Sequence, residues 1–186
     1  QGGIKSPIMV LTAGTDSFEE MINYGLEPGI PNLCTLKALC KVLEKRDVRD
    51  FPIHVKLDTG MHRLGFMSEE MDSLIDFLKN CDRVKVKSVY SHLAAADDPQ
   101  SDDFTLGQIA LFQQNADMLS DSLGYRPMYH ILNSAGIERF SEYQFDMVRL
   151  GIGIYGVSVL PDVLLTPVAS FKCKILQIKT LSPGDG

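Results

Sequence analysis

His54-Val55-Lys56-Leu57-Asp58-Thr59-Gly60-Met61-His62-Arg63-Leu64-Gly65-Phe66 runs a strand pattern straight into a turn that carries a charged cluster. Read by twos, Ile53, Val55 and Leu57 fall on one face and His54, Lys56 and Asp58 on the other, the alternation of a strand with one apolar and one polar side. Gly60 and Gly65 flank Arg63 and permit backbone turns that a Cβ disfavours, so the arginine is expected on a tight, folded loop. For any one of these residues a strand followed by a solvated turn would suffice. The run as a whole points to a functional strand end.

Outward from this stretch, short apolar runs alternate with helical patterns. Residues 7–11, 52–58, 84–93, 128–133 and 145–150 read as strands. Asp16-Ser17-Phe18-Glu19-Glu20 reads as a capped helix start, 33–46 places leucines and cysteines at helical spacing, and Ser68-Glu69-Glu70-Met71 opens a third helix with a serine cap and early acids. The longest helix is expected over 104–123, stopped by Gly124. Repeated strand-then-helix order argues for a parallel sheet with right-handed crossovers, either doubly wound or a (β/α)8 barrel. Polar residues recur at strand C-terminal ends: Lys56 and Asp58, His92, Asn133 and Arg149. A barrel gathers such ends around one mouth, which favours that fold. After Pro161 the pattern changes, and 166–180 reads as strand through Phe171, Cys173, Ile175 and Ile178 with no helix following, as if a second, β-rich domain begins there.

The 186 residues are 45% hydrophobic and 23% charged, enough for a substantial core and too apolar for disorder. A net charge of −6 with no basic run gives no electrostatic footprint for nucleic acid or an anionic membrane. Pro161, Asp162 and Pro167 interrupt the most apolar segment, which cannot supply the ~20 continuous apolar residues of a spanning helix. Cys34, Cys40, Cys81 and Cys173 lack zinc-ligand or Cys-x-x-Cys spacing. Buried, reduced thiols in a cytoplasmic protein are therefore expected. The chain starts at Gln1 and stops at Gly184-Asp185-Gly186, which reads as a piece of something longer.

Gly151-Ile152-Gly153-Ile154-Tyr155-Gly156 satisfies the dinucleotide pattern Gly-x-Gly-x-x-Gly but runs into Val157-Ser158-Val159-Leu160-Pro161 instead of a helix. No acidic residue follows about 20 positions on to hold a ribose. A small-residue turn approaching a single phosphate fits better, with a bend that makes room for packing as its equal. Asn133-Ser134-Ala135-Gly136 supplies an amide and a hydroxyl at a strand-to-helix transition, a place for an anion or a simple helix cap. Arg149 cannot lose its charge, so inside a barrel it must be paired, for instance with Asp146 or Asp58, or hold a ligand. His92 could be a general base, a metal ligand or a buried hydrogen-bonded histidine. Lys56 could pair with Asp58.

The opening run closely resembles the Lys-x-Asp-Thr-Gly-Met-x-Arg-Leu-Gly signature of the alanine racemases, barrel-type pyridoxal-phosphate enzymes. Tyr90-Ser91-His92-Leu93-Ala94-Ala95-Ala96-Asp97, then His130-Ile131-Leu132-Asn133-Ser134-Ala135-Gly136, then the stretch from Met147 to Gly156 follow in the family's order. Weaker similarity reaches from Gly3 to Phe171. The resemblance implies a partial (β/α)8 TIM-type barrel over 1–160, about strands three to eight with the first strands missing. The start of a C-terminal β domain would follow over 161–186. It further implies pyridoxal 5′-phosphate as cofactor and a bacterial, cytoplasmic homodimer converting L-alanine to D-alanine for peptidoglycan.

By the same resemblance Arg149 bonds the pyridine nitrogen, oriented by His130, and His92 lies against the ring. Ser134, with Asn133 nearby, and the backbone at Gly151 and Ile152 hold the phosphate. Lys56, carbamylated in many members, positions Arg63 toward the phenolic oxygen and the substrate carboxylate. Racemisation needs a base on each face of Cα. The family's Lys-x-x-x-Tyr-Gly-His-Gly lysine and its second-subunit tyrosine are absent from this sequence, so the chain alone is expected not to turn over. The alternatives are a related racemase for another amino acid, a cofactor-binding remnant, or a metal-dependent barrel hydrolase or aldolase using His92, Asp97, Asp98 and His130. The last lacks ligand-like spacing such as His-x-His.

Overall fold

A computed structural model describes residues 3–161, 163–170 and 172–184. Five strands, β1 (Ile8–Val10), β2 (Leu26–Ile30), β3 (Phe51–Lys56), β4 (Val84–Tyr90) and β5 (Met128–His130), form one sheet in chain order, every neighbouring pair parallel. Helices α1 (Phe18–Tyr24), α2 (Leu33–Lys45), α3 (Met71–Lys79) and α4 (Asp102–Leu123) make the crossovers, and the short α5 (Ser134–Arg139) follows β5. Sequential parallel order with a helix in each crossover is the build of a (β/α)8 barrel, and the chain supplies a curled part of one.

Local chemistry explains the crossovers. The Asn32 side chain accepts the N–H of Thr35 at 2.8 Å and caps α2, which contributes about 1 kcal/mol. Leu36, Leu39 and Leu43, at helical spacing, then bury fully. Gly124 ends α4 with φ 72, the left-handed stop expected of it. Ser68 does not cap α3: a 3-10 turn over Ser68–Glu70 precedes the helix, the N–H of Met67 bonds the Glu70 carboxylate, and the Ser68 hydroxyl accepts from Asn115.

Ile53, Val55 and Leu57 are fully buried in one apolar core with Leu36, Leu39, Leu74 and Phe112. Their polar neighbours are buried too: His54 is 3%, Lys56 7% and Asp58 8% exposed. The second face of β3 therefore looks inward, onto the interior of the curled sheet, and not to solvent.

The strand expectations need four corrections. β2 was not anticipated; Leu26-Glu27-Pro28-Gly29-Ile30 carries a proline and a glycine, residues that weaken a strand signal. The expected strand at 145–150 is extended chain without a ladder, although the N–H groups of Asp146 and Arg149 bond the carbonyls of Tyr129 and Leu132 and lay it beside β5. β4 ends at Tyr90 and β5 at His130, short of the expected 93 and 133. Among the described residues of 163–184 there is no strand, including over 166–180, and the side chains are exposed; Phe171 and Asp162 lie outside the described residues. None of the four cysteines is buried, which corrects that expectation as well: Cys34 and Cys173 are exposed, Cys40 and Cys81 half-buried.

Beyond β3 the loop folds back on its own strand. Phe66 donates its N–H to the Lys56 carbonyl and accepts that of Asp58, both at 2.8 Å. The Asp58 carboxylate receives the N–H groups of Gly60 and His62 at 3.0 Å. Gly60 and Gly65 adopt φ near +130, and a Cβ on Gly65 would stand 2.5 Å from the Asp58 nitrogen. Gly65→Ala is accordingly expected to destabilise the fold by roughly 2–5 kcal/mol, the sum of a disfavoured backbone and an overpacked contact. Urea denaturation of the variant measures it, and a change under about 0.5 kcal/mol, the range of ordinary surface substitutions, would contradict this account of the loop.

Candidate active site

Parallel register sets the floor of the site: Lys56 of β3 pairs with Tyr90 of β4, and Tyr90 with His130 of β5. The Tyr90 and His130 rings stack at 5.2 Å and 5°, and Lys56 Nζ lies 5.3 Å from the Tyr90 ring centre. Above this layer opens a cavity of about 910 Å³ whose wall includes Lys56, Arg63, His92, Asn133, Ser134 and Arg149. The segments following β3, β4 and β5 all reach it, the placement a barrel gives its loops.

Arg149 is held entirely by neutral acceptors. Its Nη1 donates to His130 Nδ1 at 2.6 Å and to the His130 carbonyl at 3.2 Å. Its Nη2 donates to the carbonyls of Ser91 at 2.5 Å and Ile131 at 3.1 Å, and lies 3.4 Å from His92 Nδ1. Among the described residues neither expected salt bridge exists: Asp146 pairs with Arg126 at 2.9 Å, and Asp58 serves its own loop. Burial pushes the Arg149 guanidinium down to about 10, still charged at neutral pH.

A second wall is an oxygen on which backbone donors converge. Ser134 Oγ accepts the N–H of Gly151 at 2.9 Å and of Gly153 at 3.1 Å. Asn133 takes the plainer of its two expected roles at this position, capping α5 by accepting the N–H of Gly136 at 2.9 Å while donating to the Leu93 carbonyl. Residues 152–155 form a 3-10 turn, so Gly151 to Gly156 does not open the helix a dinucleotide fold needs.

The electrostatics follow from three cations sharing the cavity. Burial, then Arg149 and Arg63, pull the Lys56 amine down to about 8, against the smaller pull of Asp58. Burial and Arg149 likewise hold His92 at about 4 and His130 at about 3. Both imidazoles are thus neutral near pH 7, so His130 has the lone pair that its bond from Arg149 requires. Arg63 is exposed on its folded loop and reaches the same wall.

The family model for the alanine racemase N-terminal domain matches residues 1–159. The chain belongs to the alanine racemase family. Curated relatives named alanine racemase are 33% identical over the whole chain in Synechocystis sp. and 35% identical over 98% of it in Oceanobacillus iheyensis. The chain spans about half the length of these relatives, 51% and 50%. Among solved structures, alanine racemase of Clostridium difficile 630 in complex with cycloserine superposes with a TM-score of 0.80 at 26% identity, over 89% of this chain and 47% of that one. The Bartonella henselae alanine racemase with covalently bound pyridoxal phosphate gives 0.74 at 26%, over 88% and 46%.

With the alanine racemase family shown, the placement of the expected residues is specific. Lys56, Arg63, His92, Asn133, Ser134, Arg149, Gly151 and Ile152 line one cavity, with His130 directly beneath Arg149. The N–H groups of Gly151 and Gly153 bond the Ser134 hydroxyl, while Gly151 and Ile152, the pair expected at the phosphate, both line the cavity. The metal-site alternative loses its members: both His130 nitrogens are engaged, Asp98 caps a 3-10 turn through Gln100 and Ser101, and no ligand cluster exists among the described residues. Sequence reasoning gave Tyr90 no place in the floor, put His54 on the polar face of its strand without a role, and did not single out Glu27 or Ser88. Their signal was the polar phase of strand alternation, which in an ordinary sheet means solvent.

Because His92 and His130 ionise in the fold well below the ordinary 6.5, the unfolded chain takes up their protons first on acidification. Their contribution to stability is complete above about pH 6.5 and is lost as pH falls toward 4. Denaturation midpoints at pH 7 and pH 5, at fixed ionic strength, are expected to fall at the lower pH, and His92→Asn to reduce that fall. Equal midpoints would show that the two imidazoles are not held neutral.

Proposed function

We propose that this chain is the cofactor-holding part of a pyridoxal-phosphate-dependent alanine racemase. The observation that carries the reading is Arg149: a half-buried, permanent cation held by carbonyls and a neutral imidazole, with no carboxylate partner among the described residues. Burying a charge without a counter-ion is costly, so the site is built to leave that charge available to a ligand.

The donor set fits pyridoxal phosphate. The N–H groups of Gly151 and Gly153, gathered on Ser134 Oγ, are the donors a phosphate oxygen would take over or share with that hydroxyl, in a turn of the kind that binds phosphates. Arg149 offers an N–H to a ring nitrogen and, remaining charged, keeps that nitrogen from being protonated. His92 presents a neutral imidazole to the cavity. Bound pyridoxal phosphate would supply an electron-accepting ring that acidifies the substrate Cα proton. An arginine at the ring nitrogen moderates that withdrawal and suppresses side reactions such as transamination.

Lys56 and Arg63 form the substrate-facing pair. Because the amine is pulled down to about 8, a fraction is neutral at pH 7 and nucleophilic toward carbon dioxide. A carbamate there replaces the repulsion between Lys56 and its two arginine neighbours by attraction and fixes Arg63 for a substrate carboxylate. A proton must leave one face of Cα and return on the other; the family's lysine and tyrosine that do this are not among these 186 residues, so this chain by itself binds and orients without racemising.

Native-length protein given pyridoxal phosphate and L-alanine is expected to form D-alanine, read by chiral chromatography, with serine and lysine turned over more slowly. Arg149→Ala should lower kcat by about 10²–10³, and Ser134→Ala should weaken cofactor binding about tenfold. The 186-residue chain alone should form none. Absence of D-alanine from the native-length protein sinks the first reading, and its formation by the short chain sinks the second. With ¹³C-bicarbonate, a carbamate signal that disappears in Lys56→Ala is the outcome expected for the Lys56 pair.

A further inference from the structure

Beneath the cavity a buried hydrogen-bond chain leaves Arg149 and crosses the interior of the sheet. His130 Nε2 lies 2.9 Å from Ser88 Oγ, Ser88 Oγ 2.6 Å from His54 Nδ1, and His54 Nε2 2.9 Å from Glu27 Oε2. Lys87 Nζ donates to the other Glu27 oxygen at 2.7 Å. Glu27 is 7%, His54 3%, and Ser88 and His130 0% exposed. Four polar groups in a barrel interior are costly unless each is satisfied.

The two ends dictate one direction for every proton. A guanidinium has no lone pair, so at Arg149 it can only donate, and His130 Nδ1 must accept. An ionised carboxylate can only accept, so at Glu27 the His54 Nε2 must carry the proton. Between them, neutral His130 passes its Nε2–H to Ser88 and Ser88 passes its hydroxyl to His54 Nδ1, with no donor facing a donor. Both histidines are held below the usual imidazole range by burial, which in His54 outweighs the neighbouring Glu27. The His54–Glu27 contact is therefore a hydrogen bond from a neutral ring to a carboxylate. The parallel register supplies the geometry: His54 pairs with Ser88 and with Gly29, two residues beyond Glu27 on the same face of β2. Between Ile53 and His54 the register slips by one residue, leaving Lys87 without a partner in the ladder.

We propose that Glu27 is a positioning residue for Arg149, acting through His54, Ser88 and His130 to fix the polarity of one hydrogen-bond chain and so hold the acceptor on which the guanidinium is aimed. Its catalytic consequence rests on the function proposed above; the polarity of the chain does not. Glu27 does not line the cavity. It takes the last proton of the chain and spares the site a second charge beside Arg149.

The test is proton NMR of native-length protein with ¹⁵N-labelled histidine, with and without pyridoxal phosphate, paired with steady-state kinetics. The wild type should show two slowly exchanging downfield Nε2–H signals, from His54 and His130. Glu27→Ala should move both, although only His54 touches the changed residue, and lower kcat about tenfold with little change in KM for alanine. Glu27→Gln, whose amide oxygen still accepts from His54, should restore both signals and most of kcat. Ser88→Ala, which removes one hydroxyl only, should shift the His130 signal by itself and abolish any further response of His130 to Glu27→Ala, with kcat losses in the double variant no larger than in either single one. An unmoved His130 signal in Glu27→Ala, additive kcat losses, or Glu27→Gln behaving like the alanine variant would overturn the proposal. Should Glu27→Ala not fold, an unmoved His130 signal in Ser88→Ala overturns it equally. Signals that respond as stated in a protein forming no D-alanine would sink the racemase reading alone; racemisation with unresponsive signals would sink this one alone.

Discussion

A charge that cannot be shed, half withdrawn from water and given no opposite charge, is the constraint around which the interior of this chain is arranged. Arg149 is held by three carbonyls and one imidazole nitrogen. Those carbonyls belong to Ser91, His130 and Ile131, at and just beyond the ends of β4 and β5, where strands terminate and ladder pairing stops. A parallel sheet thus offers acceptors at its C-terminal edge without supplying a counter-ion. Placing a carboxylate there would have stabilised the arginine more and left it nothing to offer a ligand.

The curl of the sheet makes this possible, because it turns the polar face of each strand inward. Lys56, Tyr90 and His130 stand in register as one layer, with His54 and Ser88 as the layer below. Each layer needs small residues where large ones cross. Gly29 of β2 is an instance: a Cβ there would come within 2.5 Å of the Tyr90 hydroxyl. The glycine that weakens the strand signal of β2 is the one whose missing Cβ leaves room for the Tyr90 hydroxyl.

This explains which parts were legible in the sequence. Lys56, His92, Asn133 and Arg149, at the end of β3 or in the chain beyond the strands, could be read as one mouth because polar residues recur where each apolar run stops. Gly65 could be read as a turn because its backbone conformation needs a glycine. The helices α2 and α4 could be read from spacing and from the stop at Gly124. Glu27, His54 and Ser88 could not, since alternation marks a residue as off the apolar face without saying whether that face meets water or the inside of a barrel. Their partnership joins residues 27 and 34 positions apart, and no local pattern encodes such a distance. The segment at 145–150 fails for a related reason: two isolated N–H groups bond it to Tyr129 of β5 and to Leu132 just beyond that strand, and apolar content alone cannot distinguish that from a ladder.

Three cations at one cavity wall, Lys56, Arg63 and Arg149, repel one another, and the cost cannot be shared equally. Arginine holds its proton in any environment a protein provides. Lysine yields, and Lys56, flanked by both arginines, is the one whose amine falls to about 8. The two histidines beside Arg149 yield further, to about 4 and about 3. The burial that, helped by Arg149, keeps His92 and His130 neutral therefore also lowers the Lys56 amine, and the two arginines make the space between them favourable to an anion. Burial and one guanidinium without a counter-ion together account for the neutral acceptor beneath it and the lowered amine beside it.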